Sequence, residues 1–150
     1  MKVLASGYKL DLRTAVMTKK RDQVKKMLKD NPKLARQPSN ASGLWVDTTP
    51  LGLAASQKDK AMVELLLDAG ADVNEGTFMP NAGGNATALT NAVWAGDKEV
   101  VKLLLERGAK TEVTGGKFYP RILDYAREHS TREIVELLEK AGAKGSDQRE

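Results

Sequence analysis

Apolar residues along this chain fall at helical spacing in four similar segments. Met62-Val63-Glu64-Leu65-Leu66-Leu67-Asp68-Ala69-Gly70-Ala71 matches Val100-Val101-Lys102-Leu103-Leu104-Leu105-Glu106-Arg107-Gly108-Ala109 position for position, 38 residues later. A third copy, Ile134-Val135-Glu136-Leu137-Leu138-Glu139-Lys140-Ala141-Gly142-Ala143, follows after 34 residues, and a worn copy running from Gln23 to Pro32 lies 39 residues upstream of the first. In each copy Gly70, Gly108, Gly142 or Asn31 stands where a left-handed residue closes a helix. A shorter element precedes each, opened by Leu10-Asp11-Leu12, Thr49-Pro50-Leu51, Thr87-Ala88-Leu89 and Arg121-Ile122-Leu123. Threonine ahead of Pro or Ala supplies a helix N-cap and then a favourable first helical residue. The pattern predicts four units of helix, turn, helix and connector: an all-α chain of about eight helices with no extended sheet, each apolar face buried only by a stacked neighbour.

The run Thr49-Pro50-Leu51-Gly52-Leu53-Ala54-Ala55, followed by Val63-Glu64-Leu65-Leu66-Leu67 and Gly70-Ala71-Asp72-Val73-Asn74, resembles the ankyrin repeat. The likeness covers roughly residues 9–143, with repeats at about 9–36, 47–75, 85–113 and 119–144. It implies a helix-turn-helix solenoid whose connectors project as β-hairpin-like fingers beside a concave helical face. The chain departs from the family where a His normally follows the Leu of the first helix: Gly52, Thr90 and Asp124 stand there. That His supports a hydrogen-bond network between turns, so the rigidity of the junctions has to come from elsewhere. At the ends of the array, Gln23 and Lys26 in repeat one and Glu139 in repeat four replace apolar residues of the middle repeats. Polar residues there solvate the open faces of a stack, so the array reads as complete, and residues 145–150 read as a disordered tail.

Composition agrees with this picture. Hydrophobic residues make up 41% of the 150 positions but aromatics only 5%, a mix of Leu, Val and Ala that favours helix over β-sandwich. There is no cysteine, which removes disulfides and thiolate metal sites and fits a reducing cytosol. The opening Met-Lys-Val-Leu-Ala-Ser-Gly is too short in apolar residues for a signal core or a membrane span. The expected location is therefore cytoplasmic, with a periplasmic or secreted life after signal removal left open. The net charge of +4 is unevenly placed: residues 1–38 hold 11 Lys and Arg against three Asp, and residues 39–150 hold 13 against 17 acids.

Function should reside in the connectors and the concave face, because the apolar helical stripes are committed to stacking. The repeat spacings exceed the family period of about 33, which puts extra residues into fingers at about 36–48, 75–86 and 113–120. These carry Trp45, Phe78, Met79, Phe118 and Tyr119, the residue types that anchor interfaces; the competing reading is that each plugs its own finger. The resemblance places Met17-Thr18, Ser56-Gln57, Trp94-Ala95 and Glu128-His129 on the concave face, where Trp94 is the outlier in size. The partner-binding set is thus Trp94, Trp45, Phe78, Met79, Phe118, Tyr119, Gln57, Ser56, Glu128 and His129.

Chemistry finds little footing. His129 is the single histidine, its neighbours Glu128 and Ser130 diverge around a helix, and no nucleophile–base pair can be assembled. Asn81-Ala82-Gly83-Gly84-Asn85 precedes a helix but lacks the Gly-Lys-Ser/Thr ending of a phosphate loop. The expectation is a monomeric protein-binding module without catalytic residues, metal, cofactor, small-molecule substrate or membrane contact, acting as an adaptor or an occluding inhibitor. The alternatives are an accessory subunit of an enzyme complex, and nucleic-acid binding through the basic first repeat. The latter's lysines lack interleaved aromatics and read first as a solvated end face.

Overall fold

The computed structural model describes residues 12–36, 49–79, 84–114 and 121–147. Among these residues eight α-helices follow one another in four antiparallel pairs: α1 (Leu12–Met17) with α2 (Arg21–Asp30), α3 (Pro50–Ser56) with α4 (Lys60–Asp68), α5 (Ala88–Ala95) with α6 (Lys98–Glu106), and α7 (Ile122–His129) with α8 (Arg132–Lys140). This is the helix-turn-helix solenoid that the pattern predicts. The second connector forms a hairpin of β1 (Gly76–Met79) and β2 (Gly84–Thr87), antiparallel, with Gly76 opposite Thr87 and Met79 opposite Gly84. It is the one finger whose body falls among the described residues; most of the first and third lies outside them.

Local chemistry accounts for the helix ends. The Thr49 hydroxyl accepts the Gly52 N–H at 3.1 Å, and Pro50, which has no N–H to leave unpaired, fills the first helical position of α3. The second helices are capped by Asp59, Asp97 and Thr131, whose side-chain oxygens accept from Met62, from Glu99 and Val100, and from Ile134. Gly70, Gly108 and Gly142 take φ of 99°, 91° and 93° behind α4, α6 and α8, as their sequence positions require. Asn31 does not: its φ is −146° and ψ is 89°. The cause is Pro32, whose ring excludes helical geometry from the residue before it and drives that residue to extended values. The chain instead enters a short 3₁₀ turn, Pro32–Arg36, that buries Ala35 and packs against α2 and α3.

One continuous core runs through the stack, with Leu66, Leu104 and Leu138, the central members of the repeated Leu triplet, fully buried beside Leu51, Leu89 and Leu123 from the first helices. Lys26 and Glu139, at the two ends, are exposed. Across the first three repeats the first helices pack more closely than the second. Gly52, Ala54, Ala55, Ala88 and Ala92, all buried there, permit that approach.

Side chains other than His join the repeats. The buried Thr90 hydroxyl accepts the Thr87 N–H and donates to the Thr114 carbonyl, both at 3.2 Å, so it bridges the start of α5 to the following connector. Asp124, at the same repeat position, accepts the Ser146 N–H at 2.9 Å and the Ser146 hydroxyl. Residues 145–147, assigned to a disordered tail by their composition, are here hydrogen-bonded to α7 as Thr114 is to α5. Arg127 donates to Asp147 at 2.7 Å, which holds that carboxyl below its ordinary range. Asn74 links repeats two and three, donating to the Gly108 carbonyl and accepting the Lys110 N–H.

Candidate functional site

The first helices end on one face of the stack, and the turn that follows each of them fixes which side chain is left there. Met17, Ser56, Trp94 and Glu128 occupy one repeat position at or next to the last residue of α1, α3, α5 and α7. None belongs to the buried set of its helix, which in α5 is Ala88, Leu89, Thr90, Ala92 and Val93. Ser56 returns its hydroxyl to the Leu53 carbonyl at 2.7 Å and offers no bulk to a partner.

Trp94 is 36% exposed and Met17 is 50% exposed; they are the exposed large hydrophobic residues among the described ones. Both stand at this same repeat position. Trp94 was legible as an outlier in the sequence, whereas Met17 sits in the worn first repeat and was not singled out. The signal for it is its equivalence to Trp94 once the repeats are superposed.

The next position is divided between binding and structure. Gln57 is half-buried, and its amide donates to the Met17 carbonyl at 3.0 Å, locking repeat two onto the end of α1. Its first task is therefore the stack. Glu128 and His129 are exposed at the end of α7, their side chains 4.0 Å apart, and the His129 ring tilts against Tyr125 with centroids at 4.8 Å. Glu128 and Trp94 thus occupy one repeat position on adjacent units, an acid and an aromatic presented on the same face.

The backbone of β1 carries Phe78 opposite Asn85 and Met79 opposite Gly84. Trp45, Phe118 and Tyr119 lie outside the described residues. Among the described residues no group of three or more His, Cys, Asp or Glu side chains converges as a metal site would need. No described helix is long and apolar enough to cross a membrane.

A family model described as ankyrin repeats in three copies matches residues 12–115, more than half of the chain. The chain is also 39% identical over 92 residues to the ankyrin repeat domain-containing protein SAT10 of Stachybotrys chartarum (strain CBS 109288 / IBT 7711), a match covering 61% of this chain and 4% of that much longer protein. Ankyrin repeats generally mediate protein–protein interaction and are typically non-catalytic. With four stacked helix pairs, a hairpin finger and this match, the chain belongs to the ankyrin repeat family.

Proposed function

We propose that this chain binds a partner protein across its first-helix face, as an adaptor or as an inhibitor that occludes the partner, and performs no catalysis. The observation that carries the proposal is the pair of exposed apolar side chains, Met17 and Trp94, at one repeat position on that face. A small apolar anchor set on a rigid polar surface is the composition of an interface centre. Ser56, Gln57, Glu128 and His129 supply the polar surround, and Trp45, Phe78, Met79, Phe118 and Tyr119 of the finger segments are the further anchors that the sequence offers. A partner lying along the groove has to cover Trp94, in the third of four repeats.

The partner is to be identified by pull-down with mass spectrometry, and its affinity for Trp94→Ala then measured by isothermal titration. Truncating an aromatic at an interface centre costs about 2 kcal/mol or more, roughly thirtyfold in affinity. The unfolding midpoint should move by no more than a few degrees, because Trp94 lies outside the buried set of α5. Loss of stability without selective loss of binding would make Trp94 a core residue. Full binding by a folded variant would move the interface to the fingers or the second-helix face.

A further inference from the structure

The second-helix face carries a groove that the stacking does not explain. Where α4, α6 and α8 pack against one another in succession, α2 and α4 stand further apart. The opening between them holds about 640 Å³. Its counterpart between α6 and α8 holds about 390 Å³ and is lined almost wholly by charged residues, Lys98 and Glu133 bridging it at 3.2 Å. The α2–α4 groove differs in kind, since it has apolar lining: Leu28 and Pro32 from one side, and Ala61 and Leu65 of α4 with Ala69 just beyond its end from the other.

Its walls are charged in an ordered way. Arg21, Lys25 and Lys29 follow one another at intervals of four on α2 and all line the groove, forming one basic row. Arg21 is held by Asp59 at 3.1 Å. Lys25 and Lys29 make no ion pair among the described residues, and like charges four apart on a helix repel. The opposite wall carries Glu64 and Asp68, again four apart, with Asp68 held by Arg107 at 2.8 Å. Among the described residues the charges outside ion pairs are therefore Lys25, Lys29 and Asp22 on one wall and Glu64 on the other, with partly exposed apolar surface between.

We infer that this groove is a second docking site, and that its occupant is an amphipathic helix of a partner protein whose acidic flank faces Lys25 and Lys29. The charge pattern argues for a helix over an irregular acidic segment. Both rows of the groove repeat every four residues, so the complementary surface is an apolar stripe with acids along one flank and a base along the other. The basic row extends over about 12 Å at helical rise, room for two turns of a partner helix. Nucleic acid would meet Glu64 and Asp68 on the second wall, where phosphates are repelled. The inference is independent of the first-helix face, because no residue is shared between them.

The test uses the full chain and a fluorescein-labelled helical peptide of about 15 residues, with leucines at helical spacing, glutamates on one flank and lysines on the other. Binding is followed by fluorescence anisotropy and mapped by amide chemical shifts. The peptide should shift Lys25, Leu28, Leu65 and their neighbours. Lys25→Glu with Lys29→Glu should weaken it by roughly tenfold or more, Lys25→Gln with Lys29→Gln by less, and Trp94→Ala not at all. Raising the salt should slow association and leave dissociation little changed. The inference is overturned if a peptide with lysines on both flanks binds equally well, or if a single-stranded RNA oligomer shifts these amides while the peptide does not. It also fails if sedimentation shows a dimer that Leu65→Glu abolishes, or if the free protein shows contacts from residues 1–11 to Leu65.

Discussion

Lys19, Lys58 and Gly96 stand at one repeat position and turn the chain from first helix to second with φ of 57°, 59° and 73°. Only glycine takes this conformation freely; an L side chain brings Cβ against the backbone at a cost of about 1–2 kcal/mol. Lys58→Gly should therefore stabilise the protein by about 1 kcal/mol once the extra freedom of unfolded glycine is subtracted. Gly96→Ala should destabilise by a similar amount. A Cβ built on Gly96 meets nothing within 4 Å, so that loss is conformational and not steric. Urea unfolding of the two variants checks both signs, and a stabilising Gly96→Ala would show that the turn relaxes to another conformation.

At the scale of elements, the junctions decide how well the helices act as one body. Thr90 is fully buried, and its hydroxyl satisfies both the Thr87 N–H and the Thr114 carbonyl. Thr90→Val keeps the volume and removes both bonds at a buried junction, which costs about 2 kcal/mol. Equilibrium denaturation should show that loss with an unchanged slope, and near-wild-type stability would mean that water enters the junction and replaces the hydroxyl. Repeat two has Gly52 at this position; its polar links to repeat three come from Asn74, bonded to Gly108 and Lys110, and from Asp68, paired with Arg107. The same task is thus met by different side chains in successive repeats.

For the whole molecule, stability in a linear stack is a sum of repeat terms and nearest-neighbour interfaces. Those interfaces are unequal. The first helices α3 and α5 pack most extensively, whereas α2 stands off from α4 and gives up contact there. Native-state amide exchange should accordingly show strongest protection in α3 to α6 and weaker protection in α2, whose opening leaves the middle repeats folded. Uniform protection across α2, α4 and α6 would instead mean that the stack unfolds as one unit and that the groove costs nothing. The opening beside α2 and the proposed docking there have one origin: interface given up within the chain is surface available to another.

Much of this was legible in the sequence, because helices are local. The Leu triplets, the cap at Thr49, and the glycines at 70, 108 and 142 depend only on near neighbours, so four helix pairs and their order followed from the pattern alone. Trp94 could be singled out as well, since a large aromatic beyond the apolar stripe is anomalous without any coordinates. Asn31 failed because its conformation belongs to the next residue, Pro32, and the same proline set the 3₁₀ turn that the repeat pattern does not contain. Met17 was already in register with Trp94, but its exposure came only with the structure. Other features are tertiary in origin. The dual role of Gln57, the bridge made by Thr90 and the contacts of residues 145–147 with α7 each join groups more than 20 positions apart. The unequal spacing of the second helices, and with it the α2–α4 groove, depends on how whole repeats settle against one another. A repeating sequence determines what each unit is, but the distance between units is a balance of packing over every interface, and only the folded stack strikes it.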